Sequence, residues 1–436
     1  MKVVIMAGGK GTRIASVKSD VPKPMISICG KPILQWQIEN LKACGLTEIT
    51  LVIGYLGHVI KDYFGDGSKF GVSIGYFVEE SPLGTAGALF KMPGLTEDFL
   101  LMCGDVILNV DFNRFIEFHK KNHAWASLMA HPNGHPYDSS LLVTEILPPQ
   151  EKKGNPVDTH RVIKWMNKED ERFFYRNRVN AGVEVISPQL LRDTMKHFVP
   201  RHPETSEKID LDRDVLKPSI SSGRIFAYDT PEYIKDMGTP DRYYEVEKDI
   251  RSGKVLARNL RNKQKAVFLD RDGTINKYVG FLTRPEQFDL LPGAADAIRM
   301  INKSGYLAIV VTNQPVIARG DCTWEELQQI HDKMETELGK EGAFLDAIYV
   351  CPHHPEKGFE DERPEYKFDC ECRKPKPGLL LQAARDFNID LSQSYMVGDS
   401  ERDTSAGEVC GIKKSILIET NEAFGLSQII EKMDLK

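Results

Sequence analysis

The sequence predicts an α/β protein built as two doubly wound domains. Three observations carry that expectation. Short apolar runs such as Lys2–Met6, Glu48–Ile53 and Phe99–Cys103 alternate with helical stretches through the first half, the pattern of a mostly parallel sheet. The alternation restarts at 266–269 and continues through 307–311 and 395–397. Several runs end in residues that can do chemistry: Gly8-Gly9, Gly104-Asp105, Asp270-Arg271-Asp272 and Gly398-Asp399. In an open α/β sheet, ligands bind at the carboxyl ends of strands.

A chain of 436 residues is long enough for two or three domains and for large cores without staples. Its 41% hydrophobic and 28% charged residues are ordinary for a soluble globular protein. The net charge of −6 argues against a nucleic-acid partner. No apolar run approaches the ~18 residues of a membrane span, which argues against a membrane partner. The stretch 1–10 turns to glycine too soon for a signal peptide. Of the eight cysteines, Cys29, Cys44, Cys103, Cys322 and Cys410 are scattered in apolar or helical contexts and are expected to be reduced. Cys351, Cys370 and Cys372 cluster near His353, which suits a reducing cytoplasm and a metal site better than disulfides. The oligomeric state stays open, a homo-oligomer included.

The first element is the strand at Lys2–Met6, running into Ala7-Gly8-Gly9-Lys10-Gly11-Thr12-Arg13. Glycines let backbone N–H groups approach phosphate oxygens, and Arg13 adds charge. The loop lacks the Gly-Lys-Ser/Thr of a Walker motif, and Ile14 stands where a dinucleotide fingerprint needs its third glycine. Pro22-Lys23-Pro24-Met25 follows, and then Gly30-Lys31-Pro32-Ile33 opens a helix. Two prolines restrict the backbone around Lys23. Together these motifs resemble the signature of the sugar-phosphate nucleotidylyltransferases, which join a nucleoside triphosphate to a sugar 1-phosphate and release pyrophosphate. The resemblance implies a Rossmann-like domain in which Gly8, Gly9, Gly11, Thr12 and Arg13 hold the triphosphate. It implies that Lys23 also contacts phosphate, with Arg13 and Lys23 the catalytic cations.

A strand at Glu48–Ile53, a helix over 58–64 and a strand over 72–78 continue the alternation. Leu83-Gly84-Thr85-Ala86-Gly87 resembles the family's base-binding turn, which makes Gly84, Thr85 and Gly87 nucleotide contacts. Phe99–Cys103 leads into Gly104-Asp105. The resemblance implies that Asp105 holds a catalytic Mg²⁺ together with Asp236 of Lys235-Asp236-Met237-Gly238-Thr239-Pro240. Two nearby carboxylates suit a Mg²⁺ that bridges the reacting phosphates. On the sugar side, Asn180-Ala181-Gly182-Val183 matches the family's Asn-Ala-Gly strand, so Asn180 and Gly182 are expected against the sugar phosphate. Trp165-Met166-Asn167-Lys168 aligns with the family's Phe-x-Glu-Lys segment, which adds Lys168; Asn167 stands where the family has Glu. Leu211-Asp212-Arg213-Asp214-Val215-Leu216 fits the following helix, and 148–158, rich in Pro and charge, reads as an exposed loop. The resemblance covers about residues 1–245, and 246–262, loosening at Ser252-Gly253, reads as a linker.

The second domain, 263–436, opens on Phe268-Leu269-Asp270-Arg271-Asp272-Gly273-Thr274. Two aspartates at i and i+2 past a buried strand can divide the labour, one attacking phosphorus and the other handling the proton. The stretch resembles motif I of the haloacid-dehalogenase (HAD) phosphatases. That family's later motifs follow in order: Thr312-Asn313 for the phosphoryl group, Lys374 in Arg373-Lys374-Pro375, and Gly398-Asp399 with Asp403 beyond. The resemblance makes Asp270 the nucleophile, Asp272 the acid and base, and Lys374 the charge-neutralising lysine. It implies a second Mg²⁺ held by Asp270, Asp272 through its carbonyl, and Asp399. Cys351, His353, Cys370 and Cys372 form a Cys₃His set suited to a closed, structural Zn²⁺ in a zinc-binding loop.

Cys-Pro-His-His-Pro followed by Cys-x-Cys-Arg-Lys-Pro resembles the D,D-heptose 1,7-bisphosphate phosphatases, with the zinc-carrying histidinol-phosphate phosphatases related. Ile317-Ala318-Arg319-Gly320 matches as well, so Arg319 and Arg373 join Thr312 and Asn313 as sugar-phosphate contacts; Pro315-Val316 replaces the usual Ser-Gly. A bisphosphatase would supply the sugar 1-phosphate that a nucleotidylyltransferase consumes. The paired resemblance implies a bifunctional cytoplasmic enzyme of the guanylyltransferase branch, using GTP and making GDP-D-glycero-α-D-manno-heptose. Two alternatives stay open: a hexose 1-phosphate nucleotidylyltransferase fused to a histidinol-phosphate-type or other sugar phosphatase, and a chain in which one half is a non-catalytic binding or regulatory module.

Overall fold

The computed structural model describes residues 1–9, 21–147, 157–198, 208–433 and 435. The glycine-loop residues Gly11, Thr12 and Arg13, and most of the expected loop at 148–158, lie outside the described residues. The chain divides into two compact units. One comprises Met1–Ala130, His160–Trp165 and Asn180–Asn259; the other comprises His131–Thr159, Met166–Val179 and Leu260–Lys436. Among the described residues, no helix is long and apolar enough to cross a membrane.

The first half supplies strands β1 (Lys2–Met6), β2 (Ser27–Ile28), β3 (Lys31–Pro32), β4 (Glu48–Ile53), β5 (Ser73–Val78), β6 (Phe99–Cys103) and β7 (Val106–Asn109). It continues with β8 (Ala126–His131), β9 (Leu141–Leu147), β10 (Val157–Met166), β11 (Val179–Ile186), β12 (Ile225–Asp229) and β13 (Tyr233–Asp236). Nine of these form one sheet in the order β5-β4-β1-β6-β11-β8-β12-β10-β9, while β2 pairs with β3 and β7 with β13. The segment β5-β4-β1-β6 is parallel. Beyond it the sheet is mixed: β11 runs antiparallel to β6, β12 parallel to β8, and β10 antiparallel to β12. An apolar run marks a strand but not its direction, which depends on whether the connection crosses over. Alternate residues such as Val3 and Ile5 of β1 sit fully buried in the main core of this unit.

After β13 the chain forms helices Pro240–Arg251 and Lys254–Ala257. Val246 and Val255 bury against Ile26, Ile107 and Met237. Much of the stretch 246–262 is therefore helix packed on the first unit, which runs to Asn259.

The second unit holds β14 (Lys265–Leu269), β15 (Tyr306–Asn313), β16 (Ala347–Cys351), β17 (Tyr395–Gly398) and β18 (Lys414–Leu417). All neighbours are parallel, in the order β16-β15-β14-β17-β18. Side chains alternate between two faces. Val267, Leu269, Ala308 and Val310 enter one core, and Ala266, Phe268, Leu307 and Ile309 enter the other. A sheet buried on both faces explains the unbroken apolar runs. The winding reverses between β14 and β17, and such a switch point opens a crevice at the strand ends. Also in this unit, the Tyr175 N–H donates to Thr336 Oγ1 at 3.0 Å, on helix Trp324–Lys340.

Candidate active sites

In the first unit, β7 pairs antiparallel with β13 in a register that sets Asp236 opposite Val106. The Met237 N–H donates to the Asp105 carbonyl at 3.0 Å. The two aspartates expected to share a cation thus stand side by side across a ribbon, though they are far apart in sequence. Lys23, in a short 3₁₀ turn, places Nζ 2.5 Å from Asp105 Oδ2. Asp236 accepts from Arg242 Nη1 at 2.8 and 2.6 Å and from the Gly238 N–H at 2.9 Å. Burial works to raise its pKa, but the Arg242 guanidinium outweighs this and holds the carboxyl below the usual range. The turn at Gly104-Asp105 is clamped by Gln37, whose Nε2 donates to the Cys103 carbonyl at 2.8 Å and the Val106 carbonyl at 2.7 Å. The sequence does not announce Gln37, which only tertiary structure brings to the Asp105 turn, or Arg242, which turns back onto Asp236 from the first turn of the next helix.

The turn at Leu83-Gly84-Thr85 leans on the segment just before Leu211–Leu216. The Ile209 N–H donates to the Leu83 carbonyl at 3.0 Å, and the Ala86 N–H donates to the Ile209 carbonyl at 2.9 Å. Thr85 Oγ1 accepts from the Leu211 N–H at 2.7 Å and donates to Asp210 at 3.3 Å. Gly84 has φ +84°, and a Cβ there would overlap the Ile209 carbonyl oxygen, so the turn requires glycine. Gly87 opens the helix Gly87–Lys91, and Gly8 ends β1 against Glu79. Gly9 follows, and among the described residues nothing lies within 4 Å of where its Cβ would be.

Asn180 and Gly182 lie on β11, which pairs with β6 so that Val183 faces Met102. Gly182 therefore sits beside Cys103, next to the Asp105 turn. Lys168, by contrast, is exposed on the turn after β10, with Glu169 at 3.8 Å. Two acids that the sequence reading did not single out as site residues flank Cys103. Burial raises the Glu184 carboxyl well above its usual value, and Asp212 is pushed up to about 6 by burial and then by Asp210. Among the described residues, Glu184 Oε1 is buried with no hydrogen-bond partner.

In the second unit, the ends of β14, β15 and β17 converge. Lys374, fully enclosed, sets Nζ 2.8 Å from Asp270 Oδ1, 2.6 Å from Asp403 Oδ1 and 2.7 Å from the Val311 carbonyl. Asn313 fixes this lysine at both backbone atoms: its Oδ1 accepts from the Lys374 N–H at 3.1 Å, and its Nδ2 donates to the Lys374 carbonyl at 3.0 Å. Burial pushes Asp270 up to about 6; Lys374 opposes that shift and Asp403 adds to it. Burial also works to lower the Lys374 pKa, yet the two carboxylates hold its ammonium above the usual range.

Asp272 faces a different set of partners. Arg271, buried in full, donates to it from Nε at 3.1 Å and from Nη2 at 2.9 and 2.8 Å. Asn276 Nδ2 and Gln314 Nε2 add bonds at 3.0 and 2.8 Å. Despite burial, these donors hold the Asp272 carboxyl below its usual range, with Arg271 the strongest. Gln314 also donates to Thr312 Oγ1 at 2.9 Å, joining the two motif residues. Behind Arg271 lies His331 at 3.2 Å, which burial and then Arg271 push down to about 3, so its imidazole is neutral and accepts. Asp270, Asp399 and Asp403 each bring a carboxylate oxygen within 4.8 Å of the others. Three oxygen donors at that spacing fit a hard divalent cation.

Cys351, His353, Cys370 and Cys372 also lie within 4.8 Å of one another. Their sulfur atoms are 3.3 to 3.5 Å apart, and His353 Nδ1 is 3.2 Å from Cys372 Sγ. The hydrogen bonds that the Cys351 thiol donates to Cys370 and Cys372, and then burial, push it well up; thiolates this close need a cation between them. Sulfur and imidazole donors in a tetrad can hold a soft or borderline metal ion. Arg373 follows directly and donates to the His353 carbonyl at 3.0 Å.

Comparisons with known proteins fit this geometry. Residues 2–253 match the nucleotidyl transferase family, and residues 371–424 match a HAD-hydrolase-like family. A D-glycero-β-D-manno-heptose-1,7-bisphosphate 7-phosphatase of Pasteurella multocida is 44% identical over 160 residues, which is 36% of this chain and 84% of that protein. The namesake from Haemophilus influenzae is 44% identical over 159 residues, covering 36% of this chain and 83% of its own. Among solved structures, HddC from Yersinia pseudotuberculosis is 25% identical and matches 57% of this chain and 99% of its own, with a TM-score of 0.45. The chain thus belongs to the nucleotidyl transferase family through its first part and is fused to a HAD-like phosphatase domain of the heptose-bisphosphate phosphatase kind.

Proposed function

We propose that the chain performs two consecutive steps of nucleotide-activated heptose synthesis in the cytoplasm. The second unit hydrolyses the C7 phosphate of D-glycero-D-manno-heptose 1,7-bisphosphate. The first transfers GMP from GTP to the heptose 1-phosphate, giving GDP-heptose and pyrophosphate. The observation that carries the reading is the arrangement of Asp270, Lys374 and Asp272 in a domain so similar to 7-phosphatases.

In the phosphatase, Asp270 attacks the phosphorus and takes up the phosphoryl group as an aspartyl-phosphate. Lys374 neutralises the charge gathering there. Asp272 protonates the departing C7 oxygen, and an arriving phosphate dianion raises its affinity for that proton. Its carboxylate, held by Arg271, Asn276 and Gln314, then activates the water that attacks the aspartyl-phosphate. Thr312, Asn313, Arg319 and Arg373 bind the rest of the sugar phosphate. Asp270, Asp399, Asp403 and the Asp272 backbone are the residues for a Mg²⁺, which would shield phosphate charge. Cys351, His353, Cys370 and Cys372 would hold a structural Zn²⁺.

In the transferase, the glycine loop with Arg13 and Lys23 binds the triphosphate, and Gly84, Thr85 and Gly87 bind the base. Asn180 and Gly182 receive the sugar phosphate. Asp105 and Asp236 are the residues for the second Mg²⁺, which would draw the reacting phosphates together. The sugar phosphate oxygen is itself the nucleophile, so the transfer needs no covalent enzyme intermediate.

The test is mass-spectrometric product analysis with each anomer of the 1,7-bisphosphate and each nucleoside triphosphate. GDP-heptose as the main product supports the reading; a heptose joined to a different nucleotide, or a bisphosphate whose C7 phosphate is not released, would overturn it.

A further inference from the structure

The loop between the Cys₃His ligands His353 and Cys370 reaches back to the helix Val316–Arg319. The Arg363 N–H donates to the Ala318 carbonyl at 3.0 Å. Gly320 has φ +83°, and any Cβ there would overlap the Asp361 carbonyl, so only glycine admits the loop this close. This approach carries Phe359 onto Arg319. The guanidinium carbon of Arg319 lies 4.4 Å from the centre of the Phe359 ring and 4.0 Å from that of Phe281, which comes from the segment after Asp272. Lys367 stands 4.5 Å from the centre of the Phe359 ring, with Glu362 as its counter-ion at 3.5 Å. Arg319 has no such counter-ion: no carboxylate among the described residues pairs with it, and its Nε is buried without a hydrogen-bond partner.

A guanidinium gripped by two rings, short of acceptors and near the phosphoryl-transfer centre, is built to receive an anion. Helix Val316–Arg319 directly follows Thr312-Asn313-Gln314 and Pro315, and Arg373, on the opposite loop, directly precedes Lys374. The two arginines therefore rise from the two motifs that frame the nucleophile. Both substrate phosphates are anionic, but only one is cleaved.

We propose that Phe281 and Phe359 are positioning residues that fix Arg319 as the anchor for the uncleaved phosphate, and so set a preference for a sugar bisphosphate over a monophosphate. The proposal rests on the phosphatase reading and names what makes that site selective. Stacking restricts a side chain that is otherwise free in several rotamers, so the guanidinium meets the phosphate already oriented.

The experiment compares full-length wild type with Phe359→Leu, Phe281→Leu and Phe359→Tyr, using heptose 1,7-bisphosphate and heptose 7-phosphate. Each leucine variant should raise KM for the bisphosphate about threefold to thirtyfold, with a smaller effect on kcat. KM for the 7-phosphate should stay within about twofold, because it lacks the phosphate that Arg319 holds. Phe359→Tyr, which keeps the ring, should restore the wild-type KM. Equal losses on both substrates, or no loss on either, would overturn the proposal. Phe281 lies at the surface, 44% exposed, so its variant folds even if Phe359→Leu does not. A wild type inert towards both compounds would instead sink the phosphatase reading, and the proposal with it.

Discussion

Lys374, itself enclosed, places its ammonium 2.8 Å from the Asp270 carboxylate, which stays partly open to solvent. The same ammonium reaches Asp403 at 2.6 Å, so one cation balances a buried anion and a largely buried one. Removing it leaves both uncompensated. Lys374→Met should cost the second unit about 3 to 5 kcal/mol of stability and lower phosphatase activity at least about a hundredfold. Chemical denaturation and turnover of the bisphosphate check both. A variant as stable and active as wild type would show that the pair matters to neither.

Glu335 gives a pH dependence with a definite sign. It is enclosed in helix Trp324–Lys340, and burial pushes its carboxyl up to about 7 against the pull of Arg176. Between about pH 4.5 and 7 the unfolded chain has lost this proton while the folded chain keeps it. Folding takes up a proton there, so this group's contribution to stability falls as pH rises through that window and levels off above it. Glu335→Gln mimics the protonated form. It should match wild type near pH 4 and exceed it by up to about 3 kcal/mol at pH 8. Melting temperatures at the two pH values test this; a gain at pH 4 that vanishes at pH 8 would reverse the sign.

The Cys₃His tetrad offers four donors and no position for a reacting water. Purified protein should carry about one zinc per chain in it. Cys370→Ala should release that metal and lower the melting temperature of the second unit. Elemental analysis decides the matter, and wild-type protein without zinc would refute the assignment.

On the proposed function, Asp105 serves the transferase reaction alone. Asp105→Asn should lower nucleotide transfer by roughly a thousandfold, through loss of several kcal/mol of cation-assisted stabilisation. Phosphatase turnover should stay near wild type. Parallel assays of the two reactions check this, and a matching fall in both would argue against separate sites.

The parts of this molecule that could be read from the sequence are those written locally. An apolar run ending in Gly-Asp or Asp-x-Asp announces a strand and the chemistry at its tip, and Asp105, Asp270 and Asp399 all lie at such ends. The Cys₃His set was legible because its residue types are scarce and their spacing is short. Strand direction was not, because β11 and β10 have the same apolar pattern whether they run with or against their neighbours. Nor were Gln37 and His331, whose meaning depends on partners distant in the chain, nor Arg242, which turns back onto Asp236 from the first turn of the next helix. Glu184 and Asp212 look in sequence like surface acids, and only the packing around Cys103 reveals them as buried.

On the proposed function, two independent sites act in sequence, the phosphatase first. The phosphatase must spare the C1 phosphate, because the transferase uses it as nucleophile. Asparagine at position 270 keeps the size of the side chain but is a far poorer nucleophile. The decisive measurement is the GDP-heptose yield of Asp270→Asn and wild type from two starting points, heptose 1,7-bisphosphate and heptose 1-phosphate, each with GTP. The variant should make almost none from the bisphosphate and a near wild-type amount from the monophosphate. Efficient conversion of the bisphosphate by the variant, or loss of the monophosphate reaction as well, would contradict this.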